Sequence, residues 1–270
     1  SINFGRLAPQ IAYYFSAYLD LVSSDQIKMG DKVNFAVPTG NFGNILAAYY
    51  AKRMGLPVGK LVCASNKNNI LTDFIRTGVY DKRREFFKTM SPSMDILISS
   101  NLERLLFELA DRNAVRVKIR MEKLANEGVY EIYDEEKEAI RDLFYADFCG
   151  EDETVETIYE FFEEYQYPMD THTACAMYAA SNYMAENKKD DAPMVVVSTA
   201  SPYKFPQDVM YAITGNDIKD SFKAIKHLNI ATAMKVPASL SKLRDKAVRF
   251  TAVADKDKLY EEVLRFVDAK

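Results

Sequence analysis

Residues 33–64 read VNFAVPTGNFGNILAAYYAKRMGLPVGKLVCA. Five residues suited to a buried strand run into a turn built from glycine and asparagine. A helical stretch follows from about residue 45 to 54, closed by Gly55 as a left-handed cap with Pro57 just beyond. The segment KLVCA is then a second strand. A strand, a crossover helix and another strand form the unit of a parallel sheet, and little else in a sequence narrows the fold as far. Further short apolar runs extend the pattern: DILIS at 95–99, MVVVS at 194–198 and a run at 250–253. Helical periodicity marks 11–22, 68–76, the stretch LERLLFELADR capped by Asn101, 171–187, 206–214 and 258–267. Strands apolar throughout require cover on both faces. The expected fold is α/β, an open and mostly parallel sheet with helices on both faces, in one large domain over residues 1–270. Residues 112–170 are charge-rich and read as a helical elaboration within it, with Glu135–Glu136, Glu151 to Glu153 and Glu163–Glu164 on solvated faces.

Charge and composition exclude several functions. The net charge is −4, with no clustered basic face of the kind a nucleic acid requires. No apolar run reaches the ~18–20 residues that cross a bilayer, so no membrane partner is expected. Cys63, Cys149 and Cys175 are far apart and odd in number, and no signal peptide is visible, which favours reduced thiols and a cytoplasmic protein. With two histidines and no CxxC pair, no metal site is expected. The opening SINFGRLAPQ lacks Met and reads as the inside of a motif, so a fragment of a longer enzyme is expected.

The chain spends two of its 10 glycines in the turn that ends the first strand. Backbone N–H groups in such a turn surround an anion, and the helix behind it adds its N-terminal dipole. Glycine admits positive φ and close approach. A phosphate cradle is the physical reading; a tight strand–helix turn without ligand is the bland one. The turn matches neither the Walker pattern nor GxGxxG, which disfavours a nucleotide and leaves a small phosphate-bearing cofactor. At the other end, STASPYKF follows the strand at 194–198. A hydroxyl there suits a ring nitrogen that stays unprotonated, and an ordinary strand-ending turn is the alternative. Ser1, Asn3 and Arg6 suit an oxyanion, against simple helix capping by Asn3.

SINFGRLAPQ, VPTGNFGNILAAYYAKRMGLP, ASNKNNIL, DTHTACAMYA and STASPYKFP, in that order, resemble the longer-chain form of threonine synthase, a fold-type-II enzyme dependent on pyridoxal 5'-phosphate. The resemblance spans essentially the whole chain. It implies conversion of O-phospho-L-homoserine and water to L-threonine and phosphate. Gly40, Asn41, Phe42, Gly43 and Asn44 then hold the cofactor phosphate, and Thr199 meets the pyridine nitrogen. Ser1, Asn3 and Arg6 contribute to the substrate-phosphate site, with Asn41 shared. Asn66 to Asn69 and Asp170 to Thr173, with His172, match family motifs but receive no chemistry. The family's aldimine lysine lies upstream, in an N-terminal half absent from these residues. Lys52, Lys60 and Lys67 read as surface residues, and Lys204 matches a different family position. The catalytic lysine is therefore not expected in this chain, which alone should be inactive, with the missing half as its partner. A threonine dehydratase, a cysteine synthase or a non-catalytic anion-binding module are the rival readings.

Overall fold

The computed structural model of the chain describes residues 3–268. Ser1, one of the expected phosphate ligands, lies outside them. The chain divides into two compact units, residues 1–234 and 235–270.

The first unit begins with α1 (Phe4–Ser23), β1 (Val33–Pro38), α2 (Gly43–Arg53) and β2 (Val58–Ser65). It continues through α3 (Ile70–Thr77), β3 (Val79–Asp81), α4 (Leu102–Leu109), α5 (Ala114–Asn126), β4 (Val129–Glu131) and α6 (Asp134–Leu143). Then come β5 (Phe144–Phe148), α7 (Glu151–Tyr165), α8 (Thr171–Glu186), β6 (Met194–Val196), α9 (Pro206–Thr214) and α10 (Ser221–Thr232). The second unit holds α11 (Ala238–Ser241) and α12 (Leu259–Asp268).

Four strands form one sheet in the order β5-β2-β1-β6, every neighbouring pair parallel. Successive side chains of a strand face opposite sides, and β1 shows the consequence. Val33, Phe35 and Val37 join Leu61 and Cys63 of β2 in a core shared with Tyr14 of α1, Leu46 of α2 and Phe74 of α3. Ala36, with Val62 and Ala64, faces the other way, onto Ala176, Ala179, Ala180 and Tyr183 of α8. The small residues of α8 let a helix lie close on the sheet, as their spacing in TACAMYAAS suggests. Helices thus cover both faces. Among the described residues no helix is long and apolar enough to cross a membrane.

Several expectations need correction. DILIS is not a strand: a 3-10 turn at Pro92–Met94 leads into irregular chain there. Asp95 uses its carboxylate to accept from Asn66 Nδ2 (2.8 Å), Asn68 Nδ2 (3.0 Å) and Thr89 Oγ1 (2.7 Å), which holds the segment by side chains in place of a ladder. The place beside β2 belongs to β5, so residues 112–170 are not wholly helical. They also hold β4, which pairs antiparallel with β3, Tyr80 stacked on Tyr130 at 5.2 Å. β6 is half-exposed because it is an edge strand, paired only to β1. The run at 250–253 has no strand partner and is exposed.

Candidate functional site

After β1 the chain moves outward through β2 to β5, then returns to place β6 on the opposite side of β1. The carboxyl ends of β1 and β6 therefore flank a switch point, where open α/β sheets bind ligands. A cleft of about 340 Å³ opens there. Its walls come from parts far apart in sequence: Arg6 of α1, the turn Thr39 to Asn44, Ser93–Met94, His172, and Thr199 with Lys204.

The turn is shaped by its carbonyls. Gly40 O accepts from Ser99 Oγ at 2.9 Å. Asn41 O accepts from the Asn101 backbone N–H at 3.1 Å and from its Nδ2 at 2.9 Å. Across a trans peptide the N–H points opposite the C=O, so the N–H groups of Asn41 and Phe42 face away from those partners. Gly43 and Asn44 open α2, where first-turn N–H groups lack helical acceptors. Such a donor set suits a phosphate.

Neither glycine has positive φ, contrary to expectation. Phe42 takes the left-handed conformation instead, at φ 61°. Its ring is buried against Phe144, at 5.9 Å, which leaves only its backbone for the cleft. Gly40 is required by close approach: a Cβ there would stand 2.7 Å from Ser93 O and 3.2 Å from Met94 Cα. At Gly43 the nearest atom to a Cβ is Asn101 Nδ2, at 3.4 Å. Asn44 is held from behind, its Oδ1 accepting from the buried Tyr14 hydroxyl at 2.7 Å. Burial raises the Tyr14 phenol far above its ordinary value, so it stays a donor.

Arg6 and Lys204 are exposed at the cleft, and neither has an acidic partner among the described residues. The described residues lining the cleft include no Asp or Glu. Thr199 is exposed at its edge, just past β6. Asn3 is not among the lining residues; its Oδ1 accepts from Gly5 N–H at 2.8 Å and caps α1, one turn before Arg6. Lys52 and Lys60 are turned elsewhere, with Lys52 Nζ on Val58 O at 2.6 Å and Lys60 Nζ on Arg141 O at 2.9 Å. Lys67 lies over the Phe87 ring, 4.2 Å from its centroid.

A larger groove of about 1070 Å³ runs along α4 and α5. Of its lining charges, Glu108 pairs with Arg112 and with Arg53 outside the groove, and Lys118 pairs with Glu122. It offers no comparable convergence of donors.

Similarity to known proteins bears on the fold and the family. A family model described as threonine synthase, C-terminal, matches residues 173–267. A threonine synthase of Pseudomonas aeruginosa is 36% identical over 253 residues, which is 94% of this chain and 49% of that protein. A crystal structure of a PLP-bound threonine synthase from Brucella melitensis matches with a TM-score of 0.83 at 39% identity, over 98% of this chain and 52% of that one. Over nearly its whole length the chain is similar to threonine synthases. It spans about half the length of these two relatives. Human threonine synthase-like 1 is 43% identical over 82% of this chain, which is 29% of that protein.

Ser93, Met94 and Gln10 line the cleft without having been singled out in the sequence, and Asn101, expected to cap α4, makes no side-chain cap there and donates its Nδ2 to Asn41 O instead. The hydroxyls and amides that bracket the DILI run, in SPS before it and SSN after it, were the available signal. Reading the apolar core of that run as a strand hid them.

Proposed function

We propose that this chain forms the cofactor-phosphate and leaving-group part of a threonine synthase that converts O-phospho-L-homoserine and water to L-threonine and phosphate. One observation carries the reading: a single switch-point cleft gathers the 39–44 turn, Arg6, Lys204 and Thr199, with no carboxylate among the described lining residues. The donor chemistry of that turn fits the phosphate of pyridoxal 5'-phosphate, the cofactor of this reading. When bound, the cofactor supplies an electron sink for carbon–hydrogen and carbon–oxygen cleavage.

The residues of the chain have separable tasks. The backbone N–H groups from Gly40 to Asn44, with the α2 N-terminus, hold the cofactor phosphate. The Thr199 hydroxyl donates to the ring nitrogen and keeps that nitrogen unprotonated. Arg6 neutralises the departing phosphate, aided by the Asn41 amide, and that is electrostatic stabilisation of developing charge. Asn3 sets the start of α1 and so the placement of Arg6, and Ser1 belongs to the same substrate-phosphate stretch. The unit 1–234 is the large-domain portion that carries these residues. The lysine that binds the cofactor covalently is supplied by an upstream segment. The three thiols, buried and free, suit a reducing compartment such as the cytoplasm.

The test is an assay of the full-length protein with pyridoxal phosphate and O-phospho-L-homoserine, following both phosphate and threonine. Equimolar release of the two is expected, and none from residues 1–270 alone. Turnover of threonine or O-acetylserine without phosphate release would replace this reading with a dehydratase or cysteine synthase.

A further inference from the structure

Two sequence motifs remain without chemistry, Asn66 to Asn69 and Asp170 to Thr173. Both converge on the segment 87–95. Asn66 Nδ2 donates to Thr89 Oγ1 at 2.9 Å and to Asp95 Oδ1 at 2.8 Å. Asn68 donates to Phe87 O at 2.9 Å and accepts from Phe87 N–H at 3.0 Å. Two asparagines at the end of β2 thus fasten the ends of the segment. Its middle is fastened by α8: Thr171 Oγ1 donates to Met90 O at 2.8 Å, and Ser93 N–H donates to His172 Nε2 at 3.1 Å. The result is felt at Gly40, where Ser93 O and Met94 Cα fill the space of a Cβ.

The hydrogen bonds fix the state of the imidazole. Nε2 accepts from a backbone N–H and therefore carries no proton. The ring proton sits on Nδ1, which faces Asp170 Oδ1 at 3.2 Å. Burial pushes the Asp170 carboxyl up, but hydrogen bonds from His172 and Thr173 outweigh it and hold the group below its ordinary range. Asp170 is thus an anion that orients the ring. The Phe205 ring, 4.7 Å away, packs against the imidazole. His172 itself is buried and lines the cleft.

We propose that His172, oriented by Asp170, is a positioning residue that holds the Ser93–Met94 turn against Gly40 and thereby sets the shape of the phosphate-binding turn 39–44. The proposal rests on reading that turn as the seat of the cofactor phosphate.

The test uses the full-length protein, with pyridoxal phosphate and inorganic phosphate as separate probes. His172→Leu removes the acceptor of the part-buried Ser93 N–H and frees the 92–94 turn, so affinity for both probes should fall roughly tenfold. His172→Gln places an amide oxygen near the position of Nε2 and should bind within about threefold of wild type, since the hydrogen bond is remade. Long-range proton–nitrogen NMR should show an Nδ1–H tautomer in the signals that His172→Gln deletes. Unchanged affinity in His172→Leu overturns the proposal. So does an equal loss in both variants, or an Nε2–H tautomer in the wild type. If His172→Leu does not fold, His172→Gln and the tautomer decide: a tenfold loss in the glutamine variant counts against the proposal, on the same hydrogen-bond argument. Binding of inorganic phosphate that depends on His172, without binding of pyridoxal phosphate, overturns the cofactor reading and supports the positioning role. Binding of neither probe overturns both.

Discussion

Gly40 and Gly43 lie in the same turn, three residues apart, and meet opposite constraints. A methyl group at residue 40 collides with backbone, which cannot swing aside as a side-chain tip can. Gly40→Ala should therefore push the 92–94 turn away, lower stability by about 1–3 kcal/mol as overpacking does, and weaken binding of pyridoxal phosphate. Gly43→Ala meets one amide nitrogen at 3.4 Å and needs no special φ, so its unfolding free energy should lie within about 0.5 kcal/mol of wild type. Urea titration of both variants checks the contrast, and equal behaviour would show that the Ser93 contact is not rigid. The turn itself was legible in the sequence, since PTGNFGN stands between a strand and a helix. Arg6 and Thr199 were legible too, and all reach one cleft. The roles of Ser93 and of Asn101, which reads in the sequence only as a helix cap, were not. Both residues approach Gly40 and Asn41 only because the chain folds back over more than fifty residues, and no local pattern records such a contact. The positive φ of Phe42 was equally hidden, because a buried aromatic ring, not glycine, holds that conformation.

At the scale of elements, the N-terminus of α8 depends on one buried carboxylate. Asp170 Oδ1 accepts from the N–H groups of His172 at 2.9 Å and Thr173 at 3.3 Å, and its Oδ2 accepts from the Thr173 hydroxyl. Its folded-state value is depressed, so the stability it contributes is present above the unfolded carboxyl value, about 3.9. That contribution is lost as pH falls below this value through the folded one. The stability gap between wild type and Asp170→Asn should hold steady near neutrality and close in acid, as followed by urea midpoints across pH. A second element rests on a buried ion pair. Arg120 of α5 grips both oxygens of Glu136 in α6, and Glu136 Oε2 also accepts from Tyr133 N–H at 2.8 Å. Arg120→Met alone strands a buried carboxylate and should cost about 3–5 kcal/mol, whereas Arg120→Met with Glu136→Leu should recover most of it. A double-mutant cycle in urea measures this, and neither variant should alter the 39–44 turn. Glu136 reads in the sequence as part of a solvated helix face, yet it is buried, because charge alone does not disclose a partner on another helix. The same blindness affected the strands. DILI and FYADF are both short runs that suit a strand, and only tertiary pairing assigns the place beside β2 to the second.

On the scale of the whole molecule, the two units differ in how much they bury. The first contains the sheet and both of its packed faces. In the second, no described residue is buried: Val248, Phe250, Val253 and Tyr260 are all exposed. Apolar burial is the main source of folding free energy, so the second unit contributes little of it. The cleft-lining residues all fall between Arg6 and Lys204, within the first unit. Deleting residues 235–270 from the full-length protein should therefore leave a cooperative unfolding transition, with a free energy lowered by no more than about 1 kcal/mol. Affinity for pyridoxal phosphate should stay within about threefold of the undeleted protein, a difference of well under 1 kcal/mol. Titration by fluorescence and urea unfolding of the same preparation give both numbers. A large loss of affinity with stability intact would mean that the second unit shapes the cleft when ligand binds. A large loss of stability would mean that its exposed apolar side chains are covered in the complete protein, and burial within these residues would then understate what holds the fold together.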